Sequence, residues 1–225
     1  MFHWLEKNPF FFAVGVFLVI AFAGIISILP DFAKSSQPLV GTKPYTVLEL
    51  TGRHVYIKDS CNACHSQLIR PFKNETDRYG KYSLSGEYAY DRPFLWGSKR
   101  TGPDLMRIGN YRTTDWHANH MWEPTAIVPG SIMPRYRHHF TNIANFETAY
   151  AEAVTVKKVF NVPYDKPNMP KLGTFEEAQK EALIEAKKIA AAMKKDTDNN
   201  DIKTALDNGQ IPEIVALIAY LNSLK

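Results

Sequence analysis

The chain is 225 residues long, enough for one domain of ordinary size plus an extension, and with 45% hydrophobic and 12% aromatic residues it can bury a core, which excludes global disorder. Its 27 basic and 23 acidic side chains leave a formal charge of +4, too mild to announce a nucleic-acid binder. A mean hydropathy of −0.28 excludes a polytopic membrane protein, and two cysteines cannot build a disulfide framework.

One segment departs from that average. From Phe10 to Leu29 the chain reads FFFAVGVFLVIAFAGIISIL, without a charge or an amide, and at helical rise it spans about 30 Å, the thickness of a bilayer's hydrocarbon core. This predicts a single transmembrane helix within residues 1–30, bracketed by Pro9 and Pro30, with Trp4 placed as an interfacial anchor. The competing reading is a cleaved signal peptide, because Ala21 and Ala23 have the small-x-small spacing of a processing site. The apolar run continues beyond Ala23 and Lys7 is answered by Glu6, so an uncleaved anchor fits better. Lys7 on one side, with Lys34 and Lys43 on the other, barely sets the orientation. Residues 31–44, rich in Ser, Pro, Gly and Lys, read as a linker.

Residues 46–58 are compatible with a helix that ends at the cysteines, although Gly52 weakens it. Residues 70–137 are dense in Gly, Pro, Tyr, Trp and Arg without sustained periodicity, so they need an internal scaffold other than a long helix or a sheet. Thr174 and Glu177 form a capping box opening an Ala/Lys/Glu helix that runs to about Lys195, where the DTDNND stretch (196–201) stops it. A last helix starts at Pro212, with Ile214, Leu217, Ile218 and Leu221 on one apolar face. The expected fold is mainly α, a domain over residues 45–225.

Residues 61–65, CNACH, form the C-x-x-C-H signature of covalent haem c attachment. Two thiols three residues apart can add to the two vinyl groups of one porphyrin, and the adjacent His65 imidazole then lies under the iron. A redox-active dithiol would come with a βαβ pattern, and a zinc site with further ligands of conventional spacing; neither accompanies Cys61 and Cys64. Haem c is attached outside the cytoplasm in bacteria, so the anchor runs N-terminus in.

For a sixth ligand the sequence offers Met133, in the proline-bounded loop PGSIMP (129–134), with Met169 in reserve before Pro170. Met106, Met121 and Met193 suit packing; His117, His120, His138 and His139 could give bis-histidine ligation, but surface or hydrogen-bonding roles suit each of them better. The Gly102-Pro103 turn can set a backbone carbonyl against the second nitrogen of the proximal imidazole. Arg70, Arg100, Arg107 and Arg112 are suited to haem propionates.

GRHVYI (52–57), CNACHSQ (61–67), IRP (69–71), Glu75 with RYG (78–80), YDRPFLWGSKRTGPDL (90–105), Trp116 with His117 and His120, and SIMP (131–134) together resemble the membrane-anchored monohaem cytochrome c subunit of cbb3-type cytochrome c oxidases, the FixO/CcoO family. The resemblance covers about nine-tenths of the chain, and WGSKRTGPDL (96–105) is its most specific block; Met106 and Asn110 stand where smaller residues are expected. It implies a class I cytochrome c domain on a single N-terminal transmembrane helix, in the bacterial inner membrane with the haem domain periplasmic. It further implies thioether attachment at Cys61 and Cys64, axial ligands His65 and Met133, a carbonyl from Pro103 to His65, and one covalent haem c, with Arg100 among the cofactor-binding residues. The implied partners are the catalytic haem–copper subunit, a dihaem cytochrome c subunit and membrane lipid, with no nucleic acid. The implied role is to pass electrons from the dihaem subunit or a soluble donor to the haem b of the catalytic subunit; alone, the chain would not reduce oxygen. The monohaem anchor subunit of another haem–copper reductase, such as nitric oxide reductase, has the same plan and is the alternative.

Overall fold

A long apolar run offers its backbone almost no side-chain partners, Ser27 with its hydroxyl on the Ala23 carbonyl being the exception, so its N–H groups are satisfied along the run itself, as a helix does. The computed structural model describes residues 2–33, 38–193 and 200–225 and divides into two compact units, Met1–Gln37 and Pro38–Lys225. In the first, α1 (Phe2–Lys7) leads into α2 (Pro9–Ala33). Asn8 joins them: its side-chain amide donates to the Trp4 carbonyl at 2.7 Å, and its own carbonyl accepts from Phe12 N–H at 3.1 Å. Phe10, Phe17, Val19 and Phe22 are all exposed, and the stretch Pro9–Leu29 is long and apolar enough to cross a membrane. The helix passes through Pro30, expected to bracket it, and runs on to Ala33. Part of the expected linker, residues 34–37 with Lys34, lies outside the described residues.

The second unit contains α3 (Val47–Lys58), α4 (Lys73–Tyr79), α5 (Thr114–Trp122), α6 (Pro124–Ile127), α7 (Phe146–Phe160), α8 (Phe175–Ala192), α9 (Asn200–Asp207) and α10 (Glu213–Ser223), with single 3-10 turns at Cys61–Ala63, Ser85–Tyr88, Ile108–Asn110 and Arg137–Phe140. Among the described residues there is no strand, only one isolated bridge between Ile143 and Pro212. The expectation of a mainly helical protein with an N-terminal apolar helix holds.

Helix α3 starts at a reciprocal cap: Glu49 N–H donates to Thr46 Oγ1 at 3.2 Å, and Thr46 N–H to Glu49 Oε2 at 2.7 Å. It packs along α10. Gly52, a weakness for an isolated helix, is what permits the contact, since a Cβ there would run into the Ala216 carbonyl. Helix α10 does not present one apolar face as expected. It is buried all round from Glu213 to Leu221, including Val215, Ala216, Ala219 and Tyr220, because α3, α5, α8 and the turns around Ile108 and His139 enclose it. Its Tyr220 meets Tyr45 and Tyr56 edge-on at 5.6 and 5.5 Å and donates its hydroxyl to Gln67 Oε1 at 2.9 Å, just past the C-x-x-C-H motif.

Helix α8 opens on the predicted Thr174–Glu177 capping box and buries Ala178, Ala182, Ala186 and Ala190, one per turn. It ends at Ala192, short of Lys195, and residues 194–199, most of the DTDNND stop, lie outside the described residues. Helices α7 and α9, like the short α4, α5 and α6 within residues 70–137, are additions to the helices placed individually from the sequence. Helix α7 had a legible start: Asn145 Oδ1 accepts from Thr148 N–H at 3.0 Å.

Candidate haem site

Helix α3 stops one turn before the motif. Ser60 takes a left-handed conformation (φ 55°), and the chain then winds through a single turn at Cys61–Ala63, so the cysteines sit on a 3-10 turn and not on a regular α-helix. His65 N–H returns to the Cys61 carbonyl at 2.9 Å. Cys61 is half-buried and Cys64 exposed, both as free thiols. Burial, assisted by Asp59, pushes the Cys61 thiol up to about 12.

The imidazole of His65 is oriented by the turn expected to orient it: Nδ1 lies 2.8 Å from the Pro103 carbonyl oxygen. A carbonyl only accepts, so Nδ1 carries the hydrogen and Nε2 keeps its lone pair for a metal. The ring lies against Gly102, where a Cβ would come within 2.7 Å of Nδ1 and 2.9 Å of Nε2, so only glycine leaves room for it. Burial holds the His65 pKa below its ordinary value, which favours the neutral, ligating form. Gly102 N–H to the Cys64 carbonyl (2.9 Å), Leu105 N–H to Ser66 O (2.8 Å) and Gln67 N–H to Trp96 O (2.9 Å) lace residues 96–105 to the motif.

Beneath this lacing lies a buried ionic network. Asp104 Oδ2 accepts from Ser66 Oγ (2.6 Å) and Leu68 N–H (2.8 Å), and Oδ1 from Met106 N–H (2.9 Å). Arg100 donates Nε to Ser66 Oγ (2.7 Å) and Nη2 to the Leu68 carbonyl (2.6 Å), and Nη2 also pairs with Glu75 Oε2 at 2.8 Å. Glu75 is bound in addition by the Arg70 side chain and by Arg70 N–H. Arg107 is taken by Glu87 (2.6 Å) and the Lys225 carbonyl (3.0 Å), and Arg112 lies over the Trp116 ring. Of the four arginines suggested for propionates, three are thus engaged by protein carboxylates.

Hydrogen bonding by Arg100 is foremost in depressing the Glu75 carboxyl from its ordinary 4.5 to about 2, against burial. Because the folded value is the lower one, the stabilisation is complete above about pH 4.5 and is lost as the pH falls towards 2. Glu75→Gln should therefore cost on the order of 3 kcal/mol near neutrality, by removing the buried charge that pairs with both Arg70 and Arg100 and leaving Arg100 only Asp104, at 3.5 Å, and should flatten the stability profile across that window. Chemical denaturation of the detergent-solubilised chain at a series of pH values measures both.

Met133 reaches the same hydrophobic cluster as Cys61, Leu105 and Tyr136 from a separate segment. It is half-buried, and its N–H donates to Ser131 Oγ at 3.3 Å. Met169 occupies a turn between α7 and α8, its N–H on the Lys166 carbonyl at 3.0 Å, while Met106, Met121 and Met193 are buried. The histidines are less superficial than expected. His117 and His139 are buried, and His117 Nε2 and His120 Nδ1 are buried without a hydrogen-bond partner. Burial holds His117 and His120 down at about 4, and the nearby His65 adds to the effect at His120. A cavity of about 1020 Å³ flanks the other end of α3 at Thr46, Glu49, Asp91 and Lys225 and is lined by none of residues 61–65.

The family described as cytochrome C oxidase, mono-heme subunit/FixO matches residues 2–225. The chain belongs to the FixO family. Comparison with curated proteins gave no match. As a FixO chain it is a monohaem cytochrome c oxidase subunit, a component of electron transport, and a haem cofactor follows from that membership. The donor set fits such a group: two thiols flanking half a turn, a neutral imidazole with Nε2 free, and a glycine cradle that a side chain would fill.

Proposed function

We propose that this FixO subunit carries one covalent haem c and delivers electrons within a cbb3-type oxidase, from a dihaem cytochrome c subunit or a soluble donor to the haem b of the catalytic haem–copper subunit. The observation behind this reading is the His65 imidazole, whose Nδ1 sits on the Pro103 carbonyl with Gly102 against its face. Cys61 and Cys64 form the two thioethers, His65 is the proximal ligand and Met133 the distal one. When bound, haem c supplies a one-electron iron couple, and a methionine ligand raises its potential. The protein's part is orientation and insulation. Pro103 fixes the His65 tautomer and ring plane, and Arg100, held by Glu75 and Asp104, keeps residues 96–105 against the motif. The anchor is a single pass through the bacterial inner membrane, N-terminus cytoplasmic, with the haem domain (residues 45–225) periplasmic.

The test is carbon monoxide and oxygen applied to the ferrous subunit and to the intact complex. Expected results are negligible carbon monoxide binding by the subunit, whose iron is six-coordinate, and oxygen reduction by a complex containing haem b and further haem c. Rapid carbon monoxide binding to the subunit would favour an open-iron sensor or enzyme. A complex that reduces nitric oxide but not oxygen would assign the chain to the alternative reductase.

A further inference from the structure

Two consecutive histidines outside the haem-binding set converge on the end of α3. In the turn Arg137–Phe140, His138 is partly exposed and His139 fully buried. Their Nε2 atoms lie 2.9 and 3.0 Å from one oxygen, Asp59 Oδ2, and one ligand atom from each of the three residues falls within 4.8 Å of the others. On its far side, His139 Nδ1 is 2.9 Å from Glu213 Oε2, and Glu213 Oε1 holds Lys58 Nζ at 2.5 Å. The Tyr136 ring stacks on His139 at 5.4 Å, nearly parallel.

A carboxylate only accepts, so Nδ1 of His139 bears the hydrogen and a neutral ring has its lone pair on Nε2. That Nε2 is buried and has no hydrogen-bond partner, even though a carboxylate oxygen stands 3.0 Å away. Two electron-rich atoms so close, off the line of a hydrogen bond, are repulsive unless a cation lies between them: a second proton on the ring, or a metal ion.

We propose that Asp59, His138 and His139 form a binding site for a divalent transition-metal ion of the zinc class, with water completing a tetrahedron. Imidazole nitrogen with carboxylate oxygen is a donor set such ions take, and ligand bonds of about 2.0–2.1 Å at tetrahedral angles separate donor atoms by about 3.3 Å, close to the spacings already present. Glu213 is the carboxylate that metal-bound histidines commonly engage through their other nitrogen, fixing the ring for coordination. The ion would join the end of α3, two residues before Cys61, to the turn that follows the Met133 loop and, through Glu213, to the start of α10. The site does not depend on which residue is the distal haem ligand.

The test is calorimetric titration of the untagged, haem-loaded full chain in detergent with zinc chloride, after removal of metal by chelator. Expected are one zinc ion per chain, a zinc-edge absorption spectrum containing two imidazoles, and a rise in thermal stability on binding. His138→Ala alters a partly exposed ring and should leave the fold intact while weakening zinc binding at least 10–100-fold, the range produced by loss of a mere supporting partner; Asp59→Asn should do the same. His54→Gln, which alters the ring paired with Glu152, should titrate like the parent. No stoichiometric binding, full affinity in both His138→Ala and Asp59→Asn, or loss of binding in His54→Gln alone would overturn the proposal.

Discussion

Replacing both Cys61 and Cys64 by serine is expected to abolish covalent haem completely, the largest effect anticipated for any change outside the anchor. The hydroxyls occupy the same places but do not form thioethers, so no haem should remain with the chain after acid-acetone extraction or on a denaturing gel stained for haem. The loss should extend to folding. Cys61, Leu105, Met133 and Tyr136 lie only partly buried at the margin of the main hydrophobic cluster, so they would gain cover from the proposed porphyrin, and losing it should cost up to about 1.5–3 kcal/mol for each apolar side chain exposed. Faster proteolysis of residues 61–65 and 129–140 than of α3 and α10 should accompany the loss. A double mutant that kept its haem after extraction would refute the attachment proposal.

The second large effect concerns the distal ligand. Met133→His should retain the covalent haem, remove the weak far-red band that a thioether gives with ferric iron, and lower the potential by a substantial part of the roughly 0.8 V over which axial ligands tune haem. Electron entry to an otherwise assembled oxidase should slow accordingly. Met169→Leu should leave band and potential unchanged, because Met169 lies in the turn between α7 and α8 while Met133 shares the cluster with Cys61. Loss of the band in Met169→Leu, with retention in Met133→His, would move the ligand to Met169 and leave the cytochrome reading standing. Potentiometric titration of the purified variants, followed optically, provides both readouts.

The contrast between these two methionines marks how far sequence reasoning reaches. A proline-bounded loop identifies residues freed from helical periodicity, which made Met133 the choice and Met169 the reserve; what each side chain packs against is not local, and Met133 packs at the margin of the main hydrophobic cluster. The four arginines show the same limit. Their chemistry suits a propionate or a carboxylate equally well, and buried Glu75 and half-buried Glu87 engage Arg70, Arg100 and Arg107 within the protein. Helix α10 read as amphipathic because the apolar stripe is its strongest signal, whereas Val215, Ala216 and Ala219 became core only when other elements closed around them.

By itself the sequence determined the apolar N-terminal helix, the capped start of α8, the C-x-x-C-H motif and the prospect of a carbonyl from the Gly102-Pro103 turn. Each depends on composition, on bonds between near neighbours, or on a turn whose shape is written in a dipeptide. Tertiary structure decided what those elements meet: Gly52 against Ala216, Arg100 on Glu75, and Asp59 facing two histidines 79 and 80 positions away. Such encounters depend on how helices stack and how loops close over them, and no residue carries that information within its own turn of chain.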